Sequence, residues 1–409
     1  MIYILSIFMY IWNMNANIHK IKNYHHRVLE GRLTEYVNHF SAVGLTGPRQ
    51  SGKSTLLLHQ LKDYRYITFD DFRTVALYHD DPNKFMRIYA NKIIFDEVQK
   101  VPEIFNDIKI AIDTDRQTTG KFILTGSSQF NLIKSITESL AGRIGLLSLL
   151  PYQYAEIPAK LRYQSIYQGA YPELVNKDFE FAADWYSSYL DTYITKDVND
   201  LANIGDKRDF RRLISLLAAN TSQLLNMSNY AKDLGVDVKT VKRWISVLEA
   251  SYIIFLLPPY YENFGKRIVK SPKLYFYDTG LVSYLTGINS IESFEQGPML
   301  GSLFENYIIS DILKRELHNK SHAELYFYRS SNGEEIDLII DRKKTRELIE
   351  IKTSETFTPR MTKEIEKFSS QNTRSYLLYC GKSMTYLPHV SVMNYQEYLA
   401  SKEPLLFVD

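Results

Sequence analysis

The stretch "GLTGPRQSGKSTLLL", residues 44–58, limits the possible folds of this chain more than any other. Gly47-Pro48-Arg49-Gln50-Ser51-Gly52-Lys53-Ser54 fits the pattern G-x-x-x-x-G-K-[ST] throughout, and Thr55 continues it into an apolar run. The preceding residues "AVGLT" read as a buried strand, so the order is strand, loop, helix. Glycines let backbone N–H groups close on phosphate oxygens, and the helix N-terminus adds a favourable dipole. Lys53 is expected at the β- and γ-phosphates, and the Ser54 hydroxyl in a Mg²⁺ shell.

Further strand signals follow at "YRYITFDD", "NKIIFDE", "KFILTGSS" and "IGLLSLLPY", separated by helix-length polar stretches. Strands alternating with helices predict a parallel α/β sheet. "KIIFDE" delivers Asp96 and Glu97 at a strand's C-terminal end, where open α/β sheets place ligands. Asp96 is expected to hold Mg²⁺, and Glu97 to orient and deprotonate the attacking water. Ser127, at the end of "KFILTGS", is a γ-phosphate sensor or a simple strand-end turn residue. Arg143 has two readings as well: a finger to a neighbouring subunit's γ-phosphate, or a surface arginine capping its helix.

From about residue 152 the sequence changes character. "DWYSSYLDTYITKDV" and "DFRRLISLLAANTS" are helical in period. In "NMSNYAKDLGVDVKTVKRWISVLEA" a short helix, the turn "LGVD" and a second helix resemble a helix-turn-helix. Lys239, Lys242 and Arg243 on the second helix are candidate DNA contacts, or equally a solvated face. The formal net charge is +2, so composition does not announce a nucleic-acid binder, and any basic surface must be local. The single cysteine, Cys380, rules out an internal disulfide framework and fits a reducing cytoplasm.

From residue 302 the pattern is helix, three strands, helix, strand. "EEIDLIIDRKKTRELIEIK" reads as a hairpin. Pairing Ile340 with Glu347 sets Asp337 opposite Glu350, with Cβ atoms about 4.5–5.5 Å apart. Lys352 then shares that face, as does Glu335, while Ile336, Leu338, Ile349 and Ile351 turn to a core. Glu347 also falls on the core face, which requires a solvated turn end. Glu305, expected in the first turn of the preceding helix, closes the site from above. Carboxylates at Glu305, Asp337 and Glu350 suit Mg²⁺ or Mn²⁺, with Lys352 polarising a scissile phosphate. The αβββαβ order is that of the PD-(D/E)xK nuclease fold, but an ordinary half-exposed hairpin also carries such charges.

The motifs "GPRQSGKSTLL", "YITFDD", "IIFDEVQKVPEI", "FILTGSSQF", "SLAGR", "GAYPE", "YLDTYITKDV", "YFYDTGL", "GSLFENYI" and "GEEIDLII…LIEIK" span most of the chain. Together they resemble a prokaryotic family of AAA-type ATPases with a C-terminal domain of unknown function. The resemblance implies P-loop ATP binding, a winged-helix segment and a restriction-endonuclease-like α/β fold. Lys196 stands where relatives often carry arginine, and lysine lacks the bidentate fork. The expected division is an N-terminal extension over 1–16, an ATPase domain over 17–151, a helical and winged-helix segment over 152–295, and the nuclease-like domain over 296–409. The first twelve residues are apolar but shorter than the roughly 20 of a spanning helix. They read as a frayed extension or a misassigned start, with Met14 as the alternative, so no stable membrane association is expected. The expected protein is cytoplasmic and binds ATP and Mg²⁺, with DNA and a second copy of itself as candidate partners. Its nucleotide state controls a DNA-directed module. The alternative is an ATP-switched DNA- or protein-binding factor with an inert nuclease fold.

Overall fold

A computed structural model describes residues 24–126, 129–194, 207–260, 270–370 and 372–400. The chain divides into two compact units, residues 1–150 and 151–409. In the first, β1 (Ala42–Thr46), β2 (Arg65–Thr68), β3 (Ile93–Asp96), β4 (Phe122–Thr125) and β5 (Ile144–Ser148) form a sheet in the order β2-β3-β4-β1-β5. All four pairings are parallel.

Parallel strands need helices on both faces, and alternation along the strands supplies two apolar surfaces. Phe95, Phe122 and Leu124 pack on one side, with Ile104, Phe105 and Ile108 of α3 (Ile104–Thr114) and Leu132 and Ile136 of α4 (Gln129–Ser139). Val43, Leu45, Ile94 and Ile123 face the other, against Leu33 of α1 (Glu30–His39) and Leu56 and Leu57 of α2 (Lys53–Gln60).

In the second unit α5 (Lys207–Ala219), α6 (Met227–Leu234) and α7 (Val238–Ala250) precede an antiparallel pair, β6 (Ile254–Leu257) and β7 (Lys273–Phe276). Gly235, in the left-handed region at φ 69°, ends α6, and the Asp237 side chain caps α7 by accepting from the Thr240 N–H. Backbone bonds from Ser222 and Leu225 to the carbonyls of Leu274 and Pro272 add residues 222–225 to the edge of β7.

The C-terminal sheet runs β12-β13-β11-β10-β9-β8. Its strands are β8 (Glu324–Arg329), β9 (Glu335–Asp341), β10 (Arg346–Ile351), β11 (Thr373–Tyr379), β12 (Met384–Leu387) and β13 (Val390–Asn394), with α9 (Lys363–Lys367) between β10 and β11. The strands β12 and β13 go beyond the expected order. Each is short, and Pro388 between them breaks the run that would have announced a strand. The edge strand β8 is covered where Phe327 exchanges backbone bonds with Pro258 and Tyr260 beyond β6.

Helix α8 (Leu300–Asn319) is buried nearly all round, which makes it the core of this unit. Its Asn306 makes three hydrogen bonds: the side-chain oxygen accepts from the Phe276 N–H and the Thr221 hydroxyl, and its NH₂ donates to the Phe276 carbonyl. That amide fastens the helix to β7. No described helix is long and apolar enough to cross a membrane.

Candidate functional site

The loop after β1 depends on glycine at two points. Gly47 has φ 134°, and a Cβ there would lie 2.0 Å from the Leu149 carbonyl oxygen. Gly52 has φ 91° and opens α2. Between them, Gln50 is held in the left-handed region at φ 61°. The Lys53 ammonium donates to the carbonyls of Gly47 (2.8 Å) and Pro48 (2.9 Å), so its charge hangs over the loop. Arg49 and Gln50 are half-buried, Ser51 is buried and Thr55 is exposed.

The C-terminal end of β3 lies at the same sheet edge, separated from β1 only by β4. Ser54 Oγ donates to Asp96 Oδ2 at 3.1 Å, so the two oxygen donors expected of a Mg²⁺ shell are neighbours. The Tyr66 hydroxyl also donates to that carboxylate. Burial raises the Asp96 pKa, helped by the Glu97 charge and opposed by the Tyr66 and Ser54 hydrogen bonds. A cation there would favour the ionised form. Glu97 sits at φ 54°, outside the strand, and its Oε2 accepts from Gln99 Nε2 at 2.7 Å. Such backbone strain concentrates at functional positions. Ser127 and Lys196 lie outside the described residues.

Arg143 stands apart from this group. It precedes β5, at the opposite end of a parallel sheet, and grips Asp113 of α3 with Nε and Nη2 at 2.9 and 3.0 Å. Its own phosphate loop is out of reach.

Sequence reasoning missed Arg27. It is 5% exposed, and its guanidinium donates to the Ser51 carbonyl (2.9 Å) and the Leu150 carbonyl (2.6 Å). It thereby braces the loop from behind. The signal was faint: an arginine in a polar run, "YHHRVLEGR", beside two histidines.

In the second unit the β9–β10 register pairs Glu347 with Ile340 and Ile349 with Leu338, as the hairpin geometry requires. Asp337 and Glu350 are both buried, and the Ile351 N–H donates to Asp337 Oδ2 at 2.9 Å. Lys352 donates to Glu350 Oε1 at 2.5 Å. Burial pushes the Glu350 carboxyl up to about 8, reinforced by the Asp337 charge and opposed by Lys352. Glu350 Oε2 is buried with no hydrogen-bond partner.

Two expectations need correction. Glu347 is buried rather than at a solvated turn end, because Arg342 Nε (2.8 Å) and the Tyr398 hydroxyl (3.3 Å) satisfy it from inside. Glu305 sits in the second turn of α8, since the helix begins at Leu300. There it meets Tyr275 Oη at 2.6 Å and Lys273 Nζ at 3.1 Å. Lys273 is the residue the hairpin argument lacked, because it arrives from β7, more than sixty residues upstream of the hairpin. Among the described residues no group of three or more acidic, histidine or cysteine side chains is arranged to hold a metal ion.

On α7, Lys239, Lys242 and Arg243 are exposed, whereas Trp244 is 2% exposed and packs edge-on against Phe210 of α5, 5.7 Å between centroids. The cations are therefore on the outer face and the indole in the core.

Residues 39–158 match the family model described as "AAA domain". This part of the chain is an AAA-type P-loop ATPase-like domain. Residues 159–292 and 300–398 match models described as "Domain of unknown function (DUF8612)" and "Domain of unknown function (DUF4143)". An uncharacterized protein of Mycobacterium tuberculosis is 29% identical over 327 residues, which is 80% of this chain and 73% of the relative. One from Methanocaldococcus jannaschii is 25% identical over 358 residues, 78% of this chain and 77% of the relative. A Walker-type ATPase of Pyrococcus abyssi overlays with a TM-score of 0.44 at 16% identity, covering 66% of this chain and 99% of that one.

Proposed function

We propose that the AAA-type domain binds ATP with Mg²⁺ and hydrolyses it, and that its nucleotide state controls the second unit. The observation that carries this reading is the convergence of Lys53, Ser54, Asp96 and Glu97 at one sheet edge. In it, the backbone N–H groups of Gly47 and of Arg49 to Thr55 cradle the phosphates, and the Lys53 ammonium leaves the carbonyls of Gly47 and Pro48 for the β- and γ-phosphate oxygens. Ser54 and Asp96, already neighbours, would hold Mg²⁺, which would supply neutralisation of the phosphate charge. Glu97, released from Gln99, takes a proton from water as its oxygen attacks the γ-phosphorus and ADP leaves. Ser127 is retained as a γ-phosphate sensor. Arg143 serves only in trans, as a finger from a second copy, after letting go of Asp113. The test is phosphate release from ATP by wild type, Lys53→Ala and Glu97→Gln. Equal turnover in all three would refute the assignment.

For the second unit, three helices followed by the β6–β7 pair and joined by residues 222–225 support a winged helix. Lys239, Lys242 and Arg243 are its DNA contacts, on the exposed face of α7. The order α8-β8-β9-β10-α9-β11 supports a restriction-endonuclease-like fold. A cutting module would use Asp337, Glu350 and Glu305 as ligands of Mg²⁺ or Mn²⁺, with Lys352 at the scissile phosphate. The present side chains do not fit that use, since Lys273 already bonds Glu305 and Glu335. This favours the second reading, an ATP-switched DNA- or protein-binding factor whose nuclease fold is inert. Salt-dependent retention of duplex DNA without cleavage is the expected result in the presence of ATP and Mg²⁺.

A further inference from the structure

Three carboxylates from two elements converge on one ammonium from a third. Lys273 Nζ of β7 lies 2.6 Å from Glu335 Oε1, 3.1 Å from Glu305 Oε1 and 4.0 Å from Asp337 Oδ1. The lysine side chain is 3% exposed. Tyr275, two residues further along β7 and on the same face, donates to the same oxygen of Glu305. The Phe327 ring covers the ammonium at 5.6 Å.

We propose that Lys273 is the resident cation of this acidic cluster, standing where a divalent metal would lie, and that the cluster binds no divalent ion until this lysine is removed. The inference rests on the inert reading of the nuclease-like fold. A divalent cation of this kind needs several oxygens at about 2.0–2.6 Å, and two of those here are already bonded to an N–H donor. A second cation beside the ammonium would also be repelled in a poorly screened interior. The lysine does mechanical service too, because it ties β7 to α8 and β9 at once. Nearby, Lys352 compensates one oxygen of Glu350 and leaves the other buried and unbonded. Without Lys273, the carboxylates of Glu305, Glu335 and Asp337 lose the cation between them and must shift inwards to close on Mg²⁺ or Mn²⁺, with Arg329 Nη1 still 3.5 Å from Glu335 Oε2. The cluster is thus a latent metal site kept closed by a side chain of the same polypeptide.

The test is Mn²⁺ binding to the nucleotide-free full chain, followed by the electron paramagnetic resonance of free Mn²⁺ and by thermal unfolding. Wild type should bind none at stoichiometric level, and its midpoint should not move. Lys273→Met should melt lower in chelator, take up one Mn²⁺ per chain and recover its midpoint with the metal. Adding Asp337→Asn to that variant should abolish the uptake. If Lys273→Met does not fold, Lys273→Met with Glu335→Gln removes a positive and a negative charge together and is read in the same way. Mn²⁺ bound by wild type and lost in Asp337→Asn would overturn the proposal, as would a folded Lys273→Met indifferent to Mn²⁺. The same preparations are offered duplex DNA. Asp337-dependent cutting by wild type overturns both this proposal and the inert reading, whereas Mn²⁺ binding without cutting overturns this one alone.

Discussion

Replacing Arg27 with alanine should damage the phosphate loop from behind, without touching any residue of the loop. Two buried hydrogen bonds are lost, to the carbonyls of Ser51 and Leu150. Hydrogen bonds to a charged group are worth about 1.5–3 kcal/mol each, but water entering the space left by the side chain returns part of that. The desolvation cost of burying the guanidinium is also relieved. A net loss of about 2–4 kcal/mol in the stability of the first unit follows. Ser51 lies inside the loop, so its backbone should lose its fixed position and ATP affinity should fall by about tenfold, equivalent to 1.4 kcal/mol. Lysine at this position can reach one carbonyl but lacks the planar fork, so Arg27→Lys should fall between wild type and alanine. Calorimetric unfolding and titration with a fluorescent ATP analogue measure the two effects. If Arg27→Ala unfolds like wild type and binds the analogue equally well, the bracing role is wrong.

Three further outcomes are expected. The second unit should lose stability as pH rises from about 5 to about 8, because Glu350 (pushed up to about 8), Glu305 (about 7) and Asp311 (about 6) hold protons when folded that the unfolded chain releases. Glu350→Gln should flatten that slope in denaturant titrations across the range, while Glu316, whose pKa is lowered chiefly by the Arg342 and Ser321 hydrogen bonds against its burial, acts only at acidic pH. Changing Lys239, Lys242 and Arg243 together to alanine should leave stability within about 0.5 kcal/mol, yet weaken DNA binding and reduce its salt dependence by about 3 in log–log slope. Trp244→Ala should instead cost about 3–5 kcal/mol by emptying core volume against Phe210, read by chemical denaturation.

How much of this was legible before the structure depended on whether the controlling interactions were local. The loop Gly47–Ser54 was, because each residue type answers to a backbone requirement within eight positions. The central strands β1, β3 and β4 were visible as apolar runs, since burial on both faces removes the need for alternation, whereas β2 and β5 at the sheet's edges are partly exposed. The β9–β10 register also followed from local alternation, which fixed Asp337, Glu350 and Lys352 on one face. What failed was non-local. Glu347 looked solvated because the Tyr398 hydroxyl and the nearby Arg315 of α8 reach it only in the tertiary fold, although Arg342 lies in the hairpin's own turn. Lys273 opens the stretch "KLYFYD", and nothing near it in sequence announces the carboxylates it meets. Arg27 was hidden for the same reason. A cation that neutralises or braces distant groups leaves little trace in periodicity or spacing.

The central claim, that Glu97 is the general base of an ATP-hydrolysing site, is tested most directly by single-turnover hydrolysis of ATP with Mg²⁺ in wild type and Glu97→Gln, with ATP affinity measured in both. The account predicts near-equal affinity and a chemical step slowed by about 10²-fold or more in the variant. An unchanged rate in Glu97→Gln, with Lys53→Ala still binding ATP as wild type does, would contradict it.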